Sequence, residues 1–217
     1  MERGAFASFS IISGGGRMLF HVELEIDIIV SENVLPLFFE LFSRGVFLIA
    51  QAGESLNDFT VNRLGIPKGY MENRVQTVFF NGKPVDKTET AIISDGDRIA
   101  LSAAMPGLVG AVMRKGGFYS SLRDKISHKE SVCAAGNGDA LVSLKLFNVI
   151  SRELGPLLLK NGVMMKGVCL TDIMEKHGDV LKVENHEVKL NGKTMTWIDF
   201  GNVLKPNLGL LLKVTNR

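Results

Sequence analysis

Residues 18–28, Met-Leu-Phe-His-Val-Glu-Leu-Glu-Ile-Asp-Ile, decide the fold class. Phe20, Val22, Leu24, Ile26 and Ile28 share one parity, and His21, Glu23, Glu25 and Asp27 share the other. Successive side chains of a strand point to opposite faces, so this alternation predicts a strand with one buried side. Working outward, residues 35–45 (LPLFFELFSRG) form a short apolar piece of helical character, and residues 46–50 read as a second strand. Residues 53–64 predict a helix: Ser55 can cap it, Leu56, Phe59 and Leu64 supply its apolar stripe, and Gly65 ends it ahead of Pro67. Residues 75–80 predict a strand that runs into Asn81-Gly82, a strong two-residue hairpin signal. Asp95-Gly96 marks another turn, and residues 98–102 a closing strand.

The same order returns further along. Val142, Leu144 and Leu146 alternate with Ser143, Lys145 and Phe147. A short apolar piece at 163–165 follows, then a helix over 170–177 ended by Gly178, the turn Asn191-Gly192, and a last strand over 210–214. Matched positions line up in series: Val22 with Val142, Gly45-Val46 with Gly162-Val163, residues 56–59 with 170–173, and Asn81-Gly82-Lys83 with Asn191-Gly192-Lys193. Their separation shrinks steadily, as a duplication followed by short deletions would leave it.

Strand, strand, helix, strand, turn, strand is the order of a β-grasp (ubiquitin-like) unit. The expected class is α+β, with two tandem β-grasp-like units, each a mixed sheet with a helix packed on one face. The expected division is an N-terminal extension over 1–17, jointed at Gly14-Gly15-Gly16, a first unit over 18–104, a connector over 105–138, and a second unit over 139–217. Regular patterning begins just after Met18, which makes it a candidate start. Residues 18–102 and 139–214 should then superimpose with one strand order.

Residues 53–107 resemble the ThiS/MoaD family of small sulfur carriers, and less specifically the TGS domain, through ESLNDFTVNRLGIP, VFFNGKPVD and SDGDRIALSAAMPG. The resemblance implies a fold more than a function. In those carriers the chain ends in Gly-Gly, and its terminal carboxylate is activated and converted to a thiocarboxylate. Here the chain continues past Gly107 and past Gly116-Gly117. Carrier activity would need cleavage after one of them.

Bulk properties narrow the classes. Across 217 residues, 25 basic side chains nearly balance 23 acidic ones. That balance gives no footprint for nucleic acid or an anionic membrane. No apolar run reaches the roughly 18–20 residues of a membrane helix. The two cysteines, Cys133 and Cys169, have no close partner, which fits reduced thiols in the cytoplasm.

No motif specifies a reaction. Residues 107–117 (GLVGAVMRKGG) fail the spacing of a phosphate loop and predict a short helix at 108–113 closed by Gly116. His128, Glu130, Cys133 and Asp139 do not match recurrent zinc spacing and read as an exposed linker. No catalytic residue, cofactor or metal is assigned. The expected function is a binding or scaffolding protein with a protein partner or a second copy of itself. The alternatives are a sulfur-carrier-like protein and an enzyme with a site between the units. The candidate partner-binding segment is the connector: Met105, Pro106, Gly107, Leu108, Val112, Arg114, Gly116, Gly117, Tyr119 and Arg123. It is more apolar than a linker requires. Either it packs across both units, or it forms an exposed apolar patch edged by Arg114, Lys115 and Arg123.

Overall fold

A computed structural model describes residues 9–12, 18–123, 126–128, 138–182 and 186–217. The fold is α+β, built on a mixed ten-stranded sheet. In chain order the elements are β1 (Phe9–Ile12), β2 (Met18–Val22), β3 (Leu24–Val30), a 3-10 turn (Leu35–Phe39) running into α1 (Glu40–Arg44), β4 (Val46–Gln51), α2 (Leu56–Asp58) continued by a π-helical turn (Phe59–Arg63), α3 (Lys68–Asn73), β5 (Thr77–Phe80), β6 (Lys83–Pro84), β7 (Arg98–Ser102), α4 (Gly107–Met113), a 3-10 turn (Ser120–Arg123), β8 (Asp139–Phe147), α5 (Val149–Asn161), β9 (Val163–Lys166), α6 (Gly167–Leu181), β10 (Glu187–Leu190), β11 (Lys193–Met195), α7 (Trp197–Val203) and β12 (Gly209–Asn216).

The large sheet runs β11-β10-β3-β12-β9-β4-β8-β7-β5-β6. Its halves meet at one antiparallel bridge, Phe47 to Met164. Outward from that bridge each half repeats the same directions. β4 pairs antiparallel with β8, β8 parallel with β7, and β7 antiparallel with β5, whose other side carries β6. β9 pairs antiparallel with β12, β12 parallel with β3, and β3 antiparallel with β10, whose other side carries β11.

The strands come from unexpected places. Residues 18–104 and 139–217 do not pair their strands separately. β8, which opens the second segment, lies between β4 and β7 of the first, and β3 of the first lies between β10 and β12 of the second. The shared strand order expected for 18–102 and 139–214 is therefore not observed. Alternation fixes which face of a strand is buried but not which neighbour supplies its ladder.

The main core lies between the sheet and the helices. Leu24, Ile26, Ile28 and Val30 of β3 join Phe38, Leu41, Phe42, Leu158, Leu159 and Ile173 from the helical layer. α5 comes close to the 3-10 turn because Gly155 has no side chain; a Cβ there would meet the ring of Phe39. On the opposite face, β1 and β2 pair antiparallel. Phe20 and Val22 of β2 bury Met164 over the centre of the sheet. Residues 9–12, expected within an extension, are thus a strand, supplied with backbone partners by β2. Three ties join the two segments on the helical side: Tyr70 Oη donates to Glu153 (2.7 Å) and Arg74 to both its oxygens, Arg44 donates to Asp172, and Lys176 Nζ donates to Glu40 (3.3 Å). No helix among the described residues is long and apolar enough to cross a membrane.

Local signals hold well. The Ser55 hydroxyl accepts from the Asp58 N–H at 3.0 Å, as an N-cap does. Gly82 and Gly192 have φ of 79° and 78°, and Asn81 and Asn191 have 52° and 48°, the backbone of a tight hairpin turn. The helix over 170–177 differs: α6 passes through Gly178 to Leu181, with a kink at His177.

Candidate functional site

The connector begins where β7 ends. Gly107, with φ 74°, turns the chain into α4, and Gly110 lets that helix rest on the Met105 carbonyl, where any Cβ would collide. Beyond α4 the chain is tied to the first segment. Lys115 N–H donates to the Gln76 carbonyl (2.7 Å), and Lys115 Nζ donates to the Met71 carbonyl (2.9 Å). Burial pushes the Lys115 ammonium down from its ordinary pKa. Gly116 N–H donates to Asp86 Oδ1 at 2.9 Å. His128 N–H donates to the Pro84 carbonyl (2.9 Å), so the connector lies along the edge formed by β6. The His128 ring stands edge-on to Phe80, and burial lowers its pKa first, with the Lys83 charge adding to it.

Arg123 is the anchor. It is only 1% exposed. Its guanidinium donates to Asp86 Oδ1 (2.6 Å), Ser127 Oγ (2.9 Å) and the carbonyls of Val112 (2.8 Å) and Arg114 (3.2 Å). Desolvation raises the pKa of Asp86, but the hydrogen bonds from Arg123 and Gly116 outweigh it and hold the carboxyl below its usual range. The expectation that Arg123 edges an exposed patch is thus corrected. A planar fork of five donors finds more partners inside a turn of carbonyls than at a rim.

The rest of the expected segment does face outward. Leu108 is 72% exposed, Val109 66%, Phe118 91% and Leu122 71%. Pro106, Gly107, Arg114, Gly116 and Tyr119 are exposed too, while Met105, Val112 and Gly117 are half-buried. The ties given above reach Met71, Gln76, Pro84 and Asp86, all of the first segment. Among the described residues, these hydrogen bonds make the connector a strap fastened to the first segment, while Met105, Pro106 and Val109 also line a groove with Phe147 of the second.

Next to the strap lies a groove on the face of the sheet away from the helices. At one end Met105, Pro106 and Val109 face Phe79 and Phe147. The same two aromatics continue toward Arg98, Ala100, Ser143 and Lys145. β5 and β7 supply one side and β8 the other, so the groove depends on the insertion of β8 into the first half. Met105 and Pro106 belong to the segment singled out from the sequence; Phe79, Arg98, Ala100, Ser143, Lys145 and Phe147 were not singled out as a site. The signal was present in Phe147, an aromatic at the polar parity of an alternating strand.

Elsewhere, a cavity of about 500 Å³ lies between α6 and α7, lined in part by Met174, Lys182, Trp197 and Ile198. Among the described residues no three His, Cys, Asp or Glu side chains cluster as a metal site. Glu130 and Cys133 lie outside the described residues. No family model, curated protein or solved structure matches this chain.

Proposed function

We propose that this chain is a non-enzymatic binding or scaffolding protein of the cytoplasm, whose docking surface is the strap over 105–123 and the adjoining groove. One observation carries the reading: a buried arginine fastens a segment whose large apolar side chains point into solvent. Single exposed apolar residues are ordinary. Leu108, Val109, Phe118 and Leu122 are instead gathered on one anchored segment beside an apolar groove. Holding such a surface rigid lowers the ordering cost when a partner covers it. The partner is another protein or a second copy of the chain.

Edge-strand pairing, a common route for such sheets, is less favoured here. The terminal strands β6 and β11 span only residues 83–84 and 193–195, and the strap lies along β6. A sulfur-carrier role is less favoured as well. Gly107 opens a helix and Gly116 is bonded to Asp86, so neither sits in a free, extended tail.

The test is the double variant L108S/V109S, with intact mass of the protein from its native host alongside. A binding surface predicts an unchanged melting temperature, loss of association, and a full-length mass. A lowered melting temperature with association intact would make the segment purely structural. A product ending at Gly107 or Gly117 would support the carrier role instead.

A further inference from the structure

The two halves of the sheet provide an internal comparison. Lys145 and Lys213 hold equivalent places. Each follows the residue paired with the first residue of the strand beside the central bridge: Leu144 with Val46, and Leu212 with Val163. Each also runs its stem across a positive-φ glycine, Gly45 or Gly162, within about 3.5 Å of where a Cβ would stand.

Their surroundings are opposite. Lys213 Nζ lies 2.8 Å from Glu25 Oε1 and sits across from Asp27. The counterparts of Glu25 and Asp27 are Arg98 and Ala100. The place of Lys189, which pairs with Glu187, is taken by Phe79, and the place of Thr215 by Phe147. The second half therefore neutralises its lysine. The first half sets two cations beside two aromatic rings. Neither Arg98 nor Lys145 has an ion-pair partner among the described residues. The adjacent carboxylate, Asp97, is engaged by Asn81 and by the Ser94 N–H.

From this we infer that the groove between Phe79, Arg98, Lys145 and Phe147 docks an acidic, apolar segment of a protein partner, an inference that rests on the binding-protein reading. The partner supplies the carboxylates that Glu25 and Asp27 supply internally to Lys213. Its apolar side chains cover the rings. A near-neutral chain with two cations at the groove lacks the long basic track that a nucleic acid strand needs.

The experiment uses the full chain and fluorescently labelled twelve-residue peptides, read by anisotropy. One peptide alternates Glu or Asp with Leu or Phe, a second replaces the acids by Gln and Asn, and a third keeps the acids and replaces the apolar residues by Ser. The first should bind, weakening as salt rises, and the other two should bind at least about tenfold more weakly. R98E/K145E should lose the acidic peptide and gain a Lys/Leu peptide; R98Q/K145M should lose both, with melting temperatures near wild type. Equal binding of the Gln/Asn peptide, no effect of the charge reversal, or no binding of the acidic peptide would overturn the inference. So would displacement of the bound peptide by single-stranded oligothymidylate at lower concentration than by unlabelled peptide. If the inference fails while L108S/V109S still abolishes association, the binding-protein reading stands and only the partner chemistry is wrong.

Discussion

Arg98 and Glu25 hold the same station in the two halves of the sheet. The backbone N–H of Arg98 donates to Asn81 Oδ1 (2.9 Å), and its carbonyl accepts from the Asn81 N–H (2.8 Å). The backbone of Glu25 makes the same two bonds with Asn191, at 2.8 Å each. One frame thus carries a positive side chain in one half and a negative one in the other. That reversal leaves Lys145 without an ion-pair partner among the described residues, while Lys213 is neutralised by Glu25.

The glycines beside those asparagines set a stability prediction. Gly82 and Gly192 have positive φ, and nothing lies within 4 Å of a Cβ added to either. A Cβ meets no neighbour there, so backbone strain at positive φ is the main cost of a substitution. Gly82→Val and Gly192→Val should each cost about 1 kcal/mol or more, measured by denaturant unfolding. A change near zero would mean that the turn tolerates a side chain without strain.

The anchor makes a second prediction. Arg123→Ala removes the guanidinium from Asp86, which keeps the Gly116 N–H, and takes its donor from the Val112 carbonyl. Because Asp86 is 39% exposed on its side chain, water can partly replace the lost bond. The cost should be on the order of 2–3 kcal/mol, with new protease cleavage confined to residues 105–128. Arg123→Lys should recover only part of the loss, since an ammonium cannot make the same fork. Uniform cleavage across the chain would show that Arg123 supports the whole sheet rather than the strap.

A third prediction concerns acid. Hydrogen bonds from Arg74 and then Tyr70 lower the pKa of Glu153 to about 2. An unfolded glutamate titrates near 4.3. The folded state holds its proton less tightly, so this tie stabilises fully above about pH 4.3 and is lost as pH falls toward 2. Glu153→Gln should flatten the melting temperature between those values relative to wild type, and Arg74→Met should do the same. An unchanged acid limb would place the acid sensitivity elsewhere.

Elements were legible in the sequence where a local rule governs them. The strand over 98–102, the Ser55 cap and both Asn-Gly turns follow from alternation, capping and left-handed geometry. Three helices, α3, α5 and α7, have no counterpart in the sequence reading. α5 carries Pro156 inside a helix of 13 residues, where a proline weakens the helical signal. The capping pair Thr196 and Asp199 announced α7, where the Thr196 side chain accepts from the Asp199 N–H at 3.1 Å. The exchange of β3 and β8 could not be read, because both strands carry the same alternation and either satisfies the same ladder. The groove was hidden for that reason: Arg98 and Phe79 lie in one segment, Lys145 and Phe147 in the other. Arg123 was misplaced because a long basic side chain after an apolar run reads as a rim residue, and the carbonyls that bury it become visible only once the strap is folded.

The interleaving of β3 and β8 is the central claim, since the composite groove exists only through it. Backbone proton NOEs in isotope-labelled protein test it most directly. Cross-strand contacts should join residues 98–102 to 143–147 and residues 24–30 to 210–216, with Ala100 opposite Lys145 and Asp27 opposite Lys213. Contacts joining 24–30 to 98–102, and 139–147 to 209–216, would mean that each segment closes its own sheet, and would contradict the account.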